Sequence, residues 1–146
     1  SGKNLVLKKY FHIGVAVDTP NGLVVPVIRD CDKKSVPELA REIAAISIKA
    51  REKGLSMQEM SGGCFSISSL GNLGGTAFTP IINAPEVAIL GVNKAQLKPQ
   101  NANGELQWQL MLPLSLSYDH RVINGADAAR FCNALAKNLA NPASLG

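Results

Sequence analysis

From Tyr10 to Asp18 the chain reads YFHIGVAVD, an alternating run rich in β-branched and aromatic residues that predicts a strand. Thr19-Pro20-Asn21-Gly22 supplies a turn, and LVVPVIRD returns as a second strand, so the two form a hairpin. Pro26 cannot donate to a ladder, which marks that second strand as an edge or the site of a bulge. Ser35, followed three residues later by Glu38, is a capping box. Leu39, Ile43, Ile46 and Ala50 then recur at helical spacing until Gly54 stops the run. Ser56 and Glu59 repeat the box over a shorter helical turn.

GCFSISSL (63–70) predicts a further strand, running into the irregular glycine-rich loop GNLGGTAFTP. EVAILGVNKAQL and ELQWQLMLPLSLSYDH predict two long strands joined by the turn Asn101-Ala102-Asn103-Gly104, with a bend at Pro113. Asn124 caps a final helix, GADAARFCNALAKNLA, which Asn141-Pro142 ends. The order strand, strand, helix, three strands, helix predicts an α/β fold: a mixed sheet with helices packed on one face. Nothing inside the chain reads as a linker, a repeat or a low-complexity stretch.

With 146 residues, 46% of them hydrophobic, the chain can bury a core and is neither disordered nor fibrous. No apolar run approaches the roughly 18 residues of a membrane span, and SGKNLVLKKYFHIG lacks the cleavage site of a signal peptide. The net charge of +4 is spread along the chain without interleaved aromatics, so neither nucleic acid nor a membrane is expected as a partner. That mild basic excess would still favour a phosphate-bearing ligand. Cys31, Cys64 and Cys132 are odd in number and far apart, which predicts free thiols and no metal site.

Two histidines are present, and they differ in setting. His12 lies within the alternating strand and reads as structural. His120 falls where a long apolar strand ends and a helix cap begins, a position that serves either a site or packing. Ser68 and Ser69 end a strand before the glycine-rich loop, whose glycines either form turns or line a ligand. Alternation sets Ser66 and Ser68 on one face, and Ser69 with the apolar Phe65 and Ile67, its hydroxyl expected on backbone. A Gly-x-Ser-x-Gly elbow and a Lys-Ser/Thr phosphate loop are both lacking.

DHRVINGADAARF (119–131) resembles the active-site signature of the dihydrolipoamide acyltransferase family, a histidine, three residues, then aspartate and glycine, with asparagine standing here in place of the aspartate. KKYFHIGVAVDTPNGLVVPVIRD, GGCFSISSLGNLGG and INAPEVAILGVNK agree with that family in order and spacing, so the resemblance covers residues 8–140. Asn83-Ala84-Pro85-Glu86-Val87 and the run from Ala126 to Phe131 look most like its acetyl-specific, pyruvate-type members. The resemblance implies a chloramphenicol acetyltransferase-like two-layer sandwich, shortened at its N-terminus. Residues 1–146 would be the C-terminal major part of the catalytic domain, without the lipoyl and peripheral-subunit-binding domains. A drug-modifying acetyltransferase would carry a His-His pair where Asp119 precedes His120.

What the resemblance implies for chemistry is acetyl transfer between coenzyme A and a dihydrolipoyl thiol. His120 would be the general base, Ser68 the oxyanion donor, and Asn124 would occupy a place where most members carry aspartate. Asn124 also reads as a helix cap, and Asp119 as support for the turn. Thr76 and Phe78 would flank the pantetheine channel. Coenzyme A is then a substrate, the lipoyl group is carried on a domain not present here, and no metal is needed. The implied assembly is a homotrimer building a larger symmetric core, with pyruvate dehydrogenase and dihydrolipoamide dehydrogenase subunits as partners in the full complex. The setting would be the cytoplasm of a bacterium or the mitochondrial matrix. The other implied reading is a non-catalytic assembly core with the same fold.

Overall fold

Pro26 decides how the first hairpin is built. In the computed structural model, which describes residues 4–141, the two predicted strands are four. They are β1 (Ile13–Val15), β2 (Val17–Thr19), β3 (Gly22–Val24) and β4 (Val27–Ile28). β2 and β3 pair as a separate ribbon, whereas β1 and β4 join a larger sheet with β4 at its edge. Pro26, which cannot donate, accepts instead: its carbonyl takes the Val15 N–H at 2.9 Å.

The second expected hairpin is corrected in the same way. Its strands break into β6 (Ala88–Val92), β7 (Gln96–Ala102), β8 (Glu105–Met111) and β9 (Leu114–Tyr118). The bend at Pro113 is as expected. The break after Val92 is its counterpart, tied to it by the Asn93 N–H donating to the Pro113 carbonyl at 3.1 Å. β7 and β8 form a two-stranded ribbon beyond the sheet, closed by Asn103 and Gly104, both at positive φ as a tight Asn-Gly turn requires.

The main sheet, with β5 (Phe65–Ser69) at its centre, runs β4-β1-β5-β6-β9 and is mixed. β1, β5 and β6 are parallel neighbours, and β4 and β9 are antiparallel at the edges. Register sorts its two faces, because aligned residues project the same way. Ile13 and Val15, Phe65 and Ile67, Ala88 and Leu90, and Leu116 and Tyr118 form an apolar face. Gly14, Ser66, Ser68, Gly91, Ser115 and Ser117 give the opposite face mostly small and polar side chains, interrupted by the buried Val27 and Ile89.

Helix α1 (Val36–Glu52) begins at the predicted box, with Ser35 N–H donating to Glu38 Oε2 at 2.8 Å, and lies against β2 and β4. Ser56 and Glu59 repeat the box on a 3-10 turn, Met57–Met60. Helix α2 (Gly125–Leu139) sits on the apolar face: the Phe131 ring is 5.7 Å from that of Phe65. Pro142, expected to end that helix, lies outside the described residues. No described helix is long and apolar enough to cross a membrane.

Gly91 is a tight point of the polar face. A Cβ there would lie 2.9 Å from Phe78 Cζ and 3.2 Å from Pro80 Cδ. Gly91→Ala should therefore destabilise the fold by about 1–3 kcal/mol through overpacking. Urea unfolding checks this, and a variant as stable as the parent would show that Phe78 yields freely.

Candidate active site

The end of β9 is held by one carboxylate. Asp119 N–H donates to the Val87 carbonyl at 2.8 Å, extending the β6–β9 ladder by one residue. Its own carbonyl accepts from Val122 at 3.0 Å and Ile123 at 2.9 Å, closing the turn that carries His120. The carboxylate takes the Arg121 N–H at 3.0 Å and the Arg121 guanidinium Nη2 at 2.6 Å. These Arg121 bonds hold the Asp119 carboxyl down at about 2, so it stays ionised across the physiological range. Asp119 thus supports the turn, as its place in the sequence suggests.

His120 is exposed on that turn, its ring 5.6 Å from the Tyr118 ring. A cleft of about 540 Å³ opens beside it, lined by Ile82, Pro85, Glu86, Tyr118 and Arg121. Neither imidazole nitrogen has a hydrogen-bond partner among the described residues, which leaves both for a ligand. His12 is the contrast. Its Nδ1 accepts the Asp30 N–H at 3.0 Å and its ring packs 4.2 Å from Tyr10, so it is structural.

Asn124 caps α2: Asp127 N–H donates to Asn124 Oδ1 at 2.8 Å, and Asn124 Nδ2 donates back to Asp127 Oδ2 at 2.6 Å. The cap pins the far end of the His120 turn, so Asn124 reaches the site through the backbone.

Ser68 is half-buried near the end of β5, and its hydroxyl has no hydrogen-bond partner among the described residues. It shares the polar face with Gly91, over which Phe78 packs, so the structure brings Phe78 to Ser68. Thr76 is exposed on the loop and is not brought to it. Ser69, level with Val92, keeps the face of Phe65 and Ile67 as expected, but it is exposed, and the expected backbone partner for its hydroxyl is not found among the described residues.

Ser68 and His120 do not meet within one chain. Ser68 is level with Gly91, and Gly91 with Ser115. Asp119 lies four residues past Ser115, about 13 Å along the strand and two strand spacings across. His120 lies beyond that. No reacting atom could touch both side chains of the same copy.

Sequence reasoning passed over a second polar pair. Ser66, fully buried, donates from Oγ to Glu86 Oε2 at 2.6 Å, and Glu86 lines the His120 cleft. Burial raises the Glu86 pKa against the lowering effects of Ser66 and Lys8. The signal was Ser66 alternating with Ser68; Glu86 was hidden because it read as part of a strand that in fact begins at Ala88. Among the described residues no group of His, Cys, Asp and Glu could hold a metal ion, and all three cysteines are free thiols.

The whole chain, residues 1–146, matches the family model described as 2-oxoacid dehydrogenases acyltransferase (catalytic domain). It is 64% identical over 141 residues to the dihydrolipoyllysine-residue acetyltransferase component of the pyruvate dehydrogenase complex from Pseudomonas aeruginosa. It is 62% identical over 141 residues to the corresponding Azotobacter vinelandii component. These matches cover 97% of this chain but only 26% and 22% of the two relatives, so the chain spans about a quarter of their length.

Among solved structures, one of Azotobacter vinelandii dihydrolipoamide acetyltransferase superposes with TM-score 0.94 at 60% identity, covering 99% of this chain and 59% of that one. That work concerns a serine, a histidine and an asparagine in the catalytic mechanism of that enzyme. The cubic core of a pyruvate dehydrogenase multienzyme complex matches with TM-score 0.94 at 61% identity, again over 59% of that chain. A probable dihydrolipoamide acetyltransferase from Listeria monocytogenes matches at 0.90 and 35% identity. The fold is the α/β, chloramphenicol acetyltransferase-like one, a mixed sheet with two helices.

The buried Ser66–Glu86 pair generates a pH-dependent expectation. Without the Ser66 hydroxyl, the Glu86 carboxylate loses a bond that lowers its pKa. Ser66→Ala should cost about 1–2 kcal/mol at neutral pH, discounted because Glu86 is partly solvated. Below the ordinary carboxyl value of 4.5 the group is protonated in both folded and unfolded states, so the loss should be small there. It should grow as pH rises through the folded value. Denaturation at pH 4 and pH 7 checks this; a loss independent of pH would assign it to packing alone.

Proposed function

Because the chain belongs to the 2-oxoacid dehydrogenases acyltransferase (catalytic domain) family, we propose that it transfers an acetyl group between coenzyme A and a dihydrolipoyl thiol. The observation that carries this is the pairing of two free groups. The His120 imidazole stands on a turn fixed by Asp119, and the Ser68 hydroxyl stands unpartnered on the polar sheet face. Serine, histidine and asparagine are also the three residue types studied in the mechanism of the Azotobacter vinelandii enzyme, and Asn124 supplies the third here.

The chemistry follows from ordinary pKa values. A free thiol ionises near 8.5, so little thiolate exists at neutral pH. His120 takes the thiol proton as sulfur attacks the thioester carbonyl carbon. The carbonyl oxygen becomes an oxyanion, to which the Ser68 hydroxyl donates. Collapse breaks the original carbon–sulfur bond, and the departing thiolate recovers the proton from the histidinium. Both substrates are present together, so no acyl-enzyme forms. One oxyanion donor typically contributes about 3 kcal/mol to the transition state.

Since Ser68 and His120 stand at opposite ends of one sheet, each site takes His120 from one copy and Ser68 from the next. The assembly is a homotrimer, built into a larger symmetric core. The β7–β8 ribbon supports this, because its register sets Leu97, Leu106, Trp108 and Leu110 on one face, each at least 65% exposed. An apolar face of that kind is a surface for another chain. The lipoyl group would arrive on a domain outside these residues, with pyruvate dehydrogenase and dihydrolipoamide dehydrogenase subunits completing the complex. That complex would work in a bacterial cytoplasm or a mitochondrial matrix.

Transfer from acetyl-coenzyme A to free dihydrolipoamide is the direct test. His120→Ala should lower turnover by about two orders of magnitude or more. Ser68→Ala should lower it roughly a hundredfold with little change in KM, the pattern of a bond made only in the transition state. Ser69→Ala should leave turnover nearly intact, and Asn124→Asp should preserve both cap and activity. A parent that assembles without transferring would be a scaffold, and turnover lost in Ser69→Ala but kept in Ser68→Ala would overturn the site.

A further inference from the structure

Asn93 is 2% exposed, and neither Oδ1 nor Nδ2 of its side chain has a hydrogen-bond partner. Leaving a buried amide unpaired is costly, which makes Asn93 the least satisfied side chain of the core among the described residues. Its backbone is well held. The N–H donates to Pro113, and the preceding carbonyl of Val92 accepts from Leu70 at 3.1 Å. Only the side chain lacks a partner.

Position in the sheet gives the orphan a direction. Asn93 is two residues past Gly91, so its side chain projects to the polar face that carries Ser68. Above it lies the glycine-rich loop. Gly75 adopts φ +87°, and a Cβ there would come within 3.8 Å of Asn93 Oδ1. Gln96 Nε2 donates to the Gly75 carbonyl at 3.2 Å, holding the loop over the amide through one exposed bond. Gly71, Gly74 and Gly75 all have positive φ, a backbone that can rearrange with little steric penalty. Phe78 follows on the same loop and rests on Gly91, beside Ser68.

We infer that Asn93 binds a secondary amide of the acyl carrier's arm, admitted when the Gly74–Phe78 segment shifts off it. The inference rests on the transfer reaction proposed above. A side-chain amide with one free donor and one free acceptor is complementary to a secondary amide, which offers one of each. Both carriers of that reaction bear such a group at a distance from the thiol: coenzyme A in its pantetheine arm, and the dihydrolipoyl group in the amide that joins it to a lysine. Asn93 would then fix the arm while Ser68 meets the thioester oxygen. The unpaired amide of the free protein is the state that binding relieves.

The test is titration calorimetry of the assembled protein with desulfo-coenzyme A and, separately, with Nε-lipoyl-lysine, comparing parent, Asn93→Leu and Asn93→Ala. The expected result is at least about tenfold weaker binding of one of the two in both variants. The ligand affected names the source of the amide. Asn93→Leu should also melt no lower than the parent without ligand, because it removes an unpaired buried amide at similar volume. Unchanged affinity for both ligands would overturn the assignment while leaving the transfer reading intact. Weaker binding accompanied by a lower ligand-free melting point in both variants would make Asn93 structural and overturn it as well. A parent that binds neither ligand would bring down the transfer reading and this inference together.

Discussion

Strand direction in the central sheet is the constraint from which the rest follows. β5 runs parallel to β6, and β9 returns antiparallel to both. The C-terminal end of β5, with Ser68, and that of β9, with His120 just beyond it, therefore lie at opposite ends of the sheet along the strand direction. Alternation does the second half of the work: it turns Ser66 and Ser68 toward one face and Phe65 and Ile67 toward the helix that packs on them. A protein built this way keeps a helix-packed apolar surface and a surface carrying Ser66 and Ser68 on opposite sides of one sheet.

That geometry assigns roles to elements that otherwise have none. The β7–β8 ribbon carries its apolar residues into solvent, and a two-stranded ribbon is marginal by itself. Helix α2 buries only Ala128 fully, while Phe131 and Leu139 remain over 40% exposed. In the proposed trimer a neighbouring copy would cover both surfaces and bring the two free side chains together. Within each chain the turn at Asp119 is the rigid mount: its carboxylate, backbone donor and backbone acceptor are all engaged, so His120 is placed without being bonded itself.

Much of this was legible in the sequence because it rests on local rules. The capping boxes at Ser35 and Ser56, the Asn124 cap and the Asn103-Gly104 turn are read from a few neighbouring residues. The Ser66–Ser68 face follows from period two alone. The strand breaks were harder. Pro26 and Pro113 announce themselves, but the break after Val92 depends on Asn93 meeting Pro113 from twenty residues away. Ser69 falls on the face that alternation gives it, but the sheet no longer covers it at the strand end, so its hydroxyl lacks the expected backbone partner among the described residues. Glu86 was missed because its partner Ser66 lies on another strand, and Asn93 because being unpaired is a property of the folded core.

The central claim is that each site joins two chains, and subunit mixing tests it most directly. His120→Ala and Ser68→Ala proteins, each inactive alone, are dissociated, combined in equal amounts and reassembled. If His120 and Ser68 act across an interface, random trimers hold a complete pair at roughly one interface in four, and about a quarter of parental transfer activity should return. If both residues acted within one chain, no mixed assembly would contain a complete site. Activity that stays at the level of the separate variants, in assemblies shown to be mixed, would contradict the account.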